Sequence, residues 1–60
     1  MNRQVMVDQA RNHAMVAEDQ LARAADATPT EAAILAATAQ AHATLAAFWL
    51  NSAWEEDRAS

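Results

Sequence analysis

The chain has 60 residues, of which 18 are alanine, with no cysteine, no glycine and one proline. A chain this short buries only about 60% of the surface that its unfolded form exposes. It therefore needs a further source of stability, such as disulfide bonds, a metal or oligomerisation. Without cysteine, disulfide bonds and thiolate metal sites are excluded, which leaves oligomerisation as the source of this stability. The net charge of −4, with only four cationic residues, excludes the clustered cations on which nucleic-acid binding depends.

The first predicted element is a helix over residues 3–25, with Asn2 as its N-cap. Alanine is the strongest helix former, and this stretch contains neither glycine nor proline. Its apolar residues follow alternating steps of three and four, which is a heptad pattern. We expect this seam to face the next helix; it comprises Val7, Ala10, Ala14, Ala17, Leu21 and Ala24.

A turn is predicted at Thr28-Pro29. Thr28 and Glu31 have the spacing of a capping box, in which each side chain can bond to the backbone N–H of the other. Pro29 then occupies the first helical position, where its missing N–H costs nothing. The second helix should therefore cover about 29–56, after a connection of about three residues that favours antiparallel packing. The predicted fold is an all-α, two-helix hairpin forming a single domain, 1–60.

The second helix carries two heptad seams that lie side by side. The Ile34 seam contains Ile34, Thr38, Ala41, Leu45, Phe48 and Ser52. The Leu35 seam contains Leu35, Ala39, His42, Ala46, Trp49 and Ala53. A helix that is apolar over most of its circumference must be covered on more than one side. We expect the Leu35 seam to be a self-association interface in a homodimeric four-helix bundle, although the sequence alone leaves open which seam faces the first helix.

The two histidines, His13 and His42, lie on different helices. If residues whose numbers sum to about 55 meet across the hairpin, these two come opposite each other. A metal pair and a pH switch are the functional interpretations. We favour two partly buried histidines with ordinary hydrogen bonds, and predict no metal site and no cofactor. Whether the two side chains touch is left open.

Near the C-terminus, Trp54 and Leu50 are candidate partner-binding residues, since tryptophan is enriched at interface anchors. The 23 residues between Glu31 and Glu55 carry no formal charge, and about 20 suffice to span a bilayer. However, they include polar residues and many alanines rather than the large aliphatic residues typical of spanning helices. We therefore favour a cytoplasmic protein over a membrane protein. No set of residues suggests catalysis, so we predict that the chain is not an enzyme.

The stretch from Thr28 to Ala47 reads TPTEAAILAATAQAHATLAA. It resembles a segment of short uncharacterised proteins of actinobacteria and their phages, which similarly runs from Thr-Pro into Gln-Ala-His-Ala-Thr-Leu-Ala. The resemblance covers a third of the chain and implies a GC-rich bacterial or phage origin. It implies no activity and no functional residues.

These features favour two functions, with a peripheral membrane protein as a third class. The first is a small interaction or structural protein that forms a homo-oligomeric helical bundle. The alternative is a regulatory or inhibitor subunit, of the antitoxin or phage host-inhibitor kind, whose second helix binds a larger protein target.

Overall fold

The protein is a hairpin of two α-helices. The structure, a computed structural model, describes residues 2–59 apart from the side chains of Asp57 and Ala59; residues 1 and 60 of the predicted domain lie outside it. Helix α1 runs from Arg3 to Ala24 and helix α2 from Pro29 to Ala59. The described residues form these two helices and a short connection, which confirms the all-α hairpin.

Both helices begin at the residues that the sequence predicts. The Asn2 side chain accepts a hydrogen bond of 2.9 Å from the N–H of Val5, which satisfies one of the unpaired donors at the start of α1. At the start of α2, the N–H of Glu31 donates to Thr28 Oγ1 at 3.3 Å. Pro29 is the first residue of α2, as predicted.

The helix ends differ slightly from the prediction. Helix α1 ends at Ala24, one residue early, so four residues rather than three connect the helices. Helix α2 continues to Ala59 instead of ending near residue 56. Arg58 contributes to this longer helix, because its guanidinium lies 3.4 Å from Glu55 Oε1 and places a cation in the last turn.

Small side chains fill the contact between the two helices. The buried apolar residues of the described part are Met6, Ala10, Ala17, Ala39 and Ala53. Alanine against alanine lets two helices approach toward the short end of the usual spacing of about 8–10 Å. The hairpin therefore has a thin interior, and most large apolar side chains lie outside it.

The structure reverses the expected choice of seam on α2. Ala39 and Ala53 of the Leu35 seam are each only 2% exposed, so this seam packs against α1 and cannot also be a free self-association surface. The Ile34 seam is the exposed one, except that its last residue, Ser52, is half-buried. On α1, Ala10 and Ala17 of the predicted seam are buried, and Val7, Ala14 and Ala24 are half-buried. Leu21 of this seam is 56% exposed, and Met6 beside it is buried. The physical reason is that large side chains would hold the backbones apart, whereas alanines allow close contact.

Candidate protein–protein interface

The Ile34 seam is a row of exposed apolar side chains along α2. Ile34 is 62% exposed, Phe48 57% and Leu45 42%. Their spacing in steps of three and four residues, through Thr38 and Ala41, places them on one face of the helix. Monomeric soluble proteins rarely leave a continuous apolar surface of this kind uncovered. This face is therefore the main candidate for contact with another protein surface.

The hydroxyl groups on this face already have partners within α2. Thr38 Oγ1 donates to the carbonyl of Ile34 at 2.9 Å, and Ser52 Oγ donates to the carbonyl of Phe48 at 3.0 Å. A hydroxyl bonded to its own helix can be covered by apolar atoms without losing its hydrogen bond, which is the main cost of burying a polar group. The Ile34 seam can therefore be buried despite containing two hydroxyl residues.

The residues predicted for self-association form the inner face of the hairpin instead. Beside the buried Ala39 and Ala53, the remaining four are half-buried: Leu35, His42, Ala46 and Trp49. The Trp49 ring also packs edge-to-face on Phe48, with ring centroids 5.4 Å apart. A sequence signal for this arrangement exists, because alanines recur every seven residues on both helices and mark the closest faces. On α1 they are Ala10, Ala17 and Ala24, and on α2 they are Ala32, Ala39, Ala46 and Ala53.

His13 and His42 meet in the middle of this inner face. Their Nδ1 atoms are 2.9 Å apart, and the rings stack with centroids separated by 5.1 Å. The contact agrees with the predicted pairing of residues whose numbers sum to about 55. One nitrogen must donate and the other accept, so the two rings hold different tautomers or share one added proton. Among the described residues, no three His, Cys, Asp or Glu side chains come together as a metal-ligand group.

Trp54 and Leu50 lie together at the far end of the hairpin from the turn. They line an open cleft of about 220 Å³ with Arg3, Val7 and Ala53. Trp54 is 59% exposed. The two predicted partner-binding residues thus share one concave surface, a second and smaller apolar feature of the molecule.

This cleft and the Ile34 seam lie on opposite sides of the hairpin. Leu45 precedes Leu50 by five residues, which is nearly one and a half turns at about 3.6 residues per turn. On α1, Val16 follows Val7 by nine residues, or about two and a half turns. Because Val7 and Leu50 both line the cleft, Val16 and Leu45 belong to the other side. The exposed Val16 therefore extends the apolar side that contains the Ile34 seam.

The outer face of α1 carries charged and polar side chains that pair with each other. Arg23 forms an ion pair with Asp19, its Nε donating to the carboxylate at 3.0 Å, and the Gln4 amide donates to Asp8 at 2.9 Å. All four side chains are exposed. Surface pairs of this kind contribute little to stability, typically up to about 1 kcal/mol. They keep the outer face of α1 solvated.

The segment Pro29–Glu56 of α2 is long and apolar enough to cross a membrane, by length and composition. Only a small part of it is buried within the hairpin. A core helix of a soluble assembly meets the same criteria. The exposed face of this segment is therefore a candidate contact surface for either lipid or protein.

In comparisons with known proteins, no family model, curated protein or solved structure matches the chain. The resemblance of residues 28–47 to actinobacterial and phage proteins therefore stays a prediction.

Proposed function

We propose that the protein is a non-enzymatic assembly module, a helical hairpin that pairs with a second copy to form a four-helix bundle. The observation that carries this proposal is the exposure of Ile34, Leu45 and Phe48 in one row, while the contact between the helices contains mostly alanine. Two hairpins that cover this row would bury the large side chains that each hairpin leaves in water. Burial of such side chains contributes roughly 1.5–3 kcal/mol each when complete.

The size of the hairpin supports the same proposal. Its accessible surface is 4368 Å², and no large side chain among the described residues is fully buried. Chains of this length that lack disulfides and metals commonly gain their stability from oligomerisation. A standard interface covers about 800 Å² of each partner, which is roughly a fifth of this surface. The Ile34 seam and the neighbouring Val16 provide the apolar centre of such a contact.

Sedimentation velocity at low micromolar concentration tests the proposal with a matched pair of variants. Leu45 and Leu50 are 42% and 47% exposed, and they lie on opposite sides of the same helix. We expect Leu45→Glu to raise the dimer dissociation constant at least about 100-fold, since each interface would bury two unpaired carboxylates. Leu50→Glu should sediment as the wild type does.

The opposite result in either comparison contradicts the proposal. A wild-type chain that stays monomeric, with full helicity by circular dichroism, removes the assembly function. If Leu45→Glu and Leu50→Glu raise the dimer dissociation constant equally, the Ile34 seam does not form the contact between the two copies. Liposomes that blue-shift the tryptophan fluorescence of the wild type would identify lipid as the partner of α2.

The exposure of Leu50 and Trp54 supports one alternative function. A regulatory subunit could insert α2 into a groove of a larger protein, with these two side chains as apolar contacts. A preformed bundle melts cooperatively on its own, whereas a groove ligand is loosely helical until its target is added. Circular dichroism melts at two protein concentrations separate these cases, because only the bundle shows a melting temperature that rises with concentration.

A further inference from the structure

The Ile34 seam has a symmetric spacing. Its six positions are separated by four, three, four, three and four residues, so the spacing is the same in both directions along α2. The midpoint falls at residue 43. Two copies of such a seam can therefore lie antiparallel with every position facing another seam position, which allows a two-fold symmetric contact.

The side chains alternate in size about this midpoint. We infer that a second copy of the chain packs its Ile34 seam antiparallel on the first, with the two-fold axis beside Ala43. Each large residue then faces a smaller one of the partner subunit: Ile34 faces Ser52, Phe48 faces Thr38 and Leu45 faces Ala41. This inference rests on the proposed dimer and specifies its direction and register.

Complementary size is what distinguishes this register from the parallel one. In a parallel, in-register pair, Phe48 would face Phe48 and Ile34 would face Ile34, while Ala41 would face Ala41 across a gap. Alternation of large and small side chains at facing positions lets the layers interdigitate without voids. The antiparallel register achieves this alternation at all three kinds of pair.

The hydrogen bonds within α2 fit the same register. The residues that would face Ile34 and Phe48 are Ser52 and Thr38, whose hydroxyls already donate to carbonyls of their own helix at 3.0 Å and 2.9 Å. They can therefore present carbon atoms to the large side chains of the partner. No hydroxyl along this seam needs a hydrogen-bond acceptor from the other copy.

The length of the Ile34 seam and the acidic residues at its two ends define how far the contact between the two copies extends. From Ile34 to Ser52 the seam is about 27 Å long at 1.5 Å per residue, and it contains no charged residue. One further step at each end brings Glu31 opposite Glu55 of the partner subunit. Arg58 lies 3.4 Å from Glu55 within its own chain, which supplies a cation where the two carboxylates meet. The acidic residues thus mark both ends of the apolar contact.

Cysteine cross-linking tests the direction of packing, because the natural chain contains no cysteine. We expect a mixture of Ile34→Cys and Ser52→Cys chains, oxidised under mild conditions, to give mainly the mixed disulfide dimer. A disulfide needs Cα atoms within about 7 Å. Two copies of Ser52 in the antiparallel register are about 27 Å apart along the axis, so Ser52→Cys alone should cross-link at least tenfold more slowly.

The outcomes separate this inference from the proposed function. If Ser52→Cys alone cross-links rapidly and the mixture gives no excess of mixed dimer, the packing is parallel and the inference fails while the dimer stands. If the cysteine-free chain sediments as a monomer, the proposed function itself fails. Mass spectrometry of non-reduced samples, with one variant isotopically labelled, identifies which chains are joined.

A size exchange at one pair tests the register independently. Ala41→Leu should place leucine against leucine, and Leu45→Ala should leave a gap, so each change alone should weaken dimerisation at least tenfold. The double variant restores one large and one small residue at each contact, and we expect its dissociation constant to return to within about threefold of the wild type. Additive weakening in the double variant, with helicity unchanged, would overturn the pairing of residues 41 and 45.

Discussion

His13 and His42 join the two helices through a single contact between their Nδ1 atoms, 2.9 Å long, in an interface otherwise made mostly of alanine. The contact is a hydrogen bond only while one of the two nitrogens lacks a hydrogen. The residues three and four positions away on each helix are uncharged: Gln9, Ala10, Val16 and Ala17 on α1, and Thr38, Ala39, Leu45 and Ala46 on α2. The pair is therefore a polar contact within an uncharged stretch of the inner face.

Leucine in place of Ala39 should destabilise the hairpin. Ala39 is 2% exposed and faces α1, so a larger side chain forces the two helices apart. Overpacking of this kind costs about 1–3 kcal/mol. Ala37→Leu is the matched control, because Ala37 is exposed on the same helix and should change the free energy of unfolding by less than about 0.5 kcal/mol. Thermal melts at one protein concentration compare the two.

Methionine in place of Gln20 should stabilise the hairpin. Gln20 is half-buried, and its Oε1 atom is buried without a hydrogen-bond partner among the described residues. An unsatisfied buried polar atom costs about 1–3 kcal/mol, and methionine has a similar length without that atom. We expect a gain of about 1 kcal/mol for Gln20→Met. The same change at the exposed Gln40 should have little effect, and a larger gain there would point to general hydrophobicity as the cause.

Alanine in place of Thr28 should weaken the start of α2. Thr28 Oγ1 accepts the N–H of Glu31 at 3.3 Å, and loss of a threonine N-cap typically costs about 1 kcal/mol. Thr30→Ala is the control, because Thr30 is also exposed but lies inside the first turn of α2. Its replacement should leave the free energy of unfolding nearly unchanged. Chemical denaturation of the two variants should show the larger shift in midpoint for Thr28→Ala.

The sequence predicts the course of the chain better than the rotation of its helices. The caps at Asn2 and Thr28 are local signals, since each depends on residues only three positions apart, and both are present in the structure. The pairing of His13 with His42 follows from the position of the turn and the equal rise of both helices. These features need no knowledge of side-chain packing.

The rotation of α2 about its axis depends on which of its two seams faces α1, and the periodicity of the sequence does not decide between them. The Ile34 and Leu35 seams have the same spacing and differ by only one position, so both satisfy a heptad pattern. The structure turns Ala39 inward and Ile34 outward, because the close approach of two alanine faces excludes large side chains from the contact. Burial of Leu21 and Ile34 inside the hairpin would have required a wider separation of the helices.

The alanine face also makes the alignment of the two helices degenerate. Because alanine recurs every seven residues on both inner faces, sliding one helix by about 10 Å would again bring alanine onto alanine. Alanine has no rotamers that could distinguish the two alignments. The four-residue connection limits such sliding within one chain, but not in a dimer whose chains exchange helices. The histidine pair then distinguishes the correct alignment from the others, because sliding by seven residues would leave each imidazole facing a different residue.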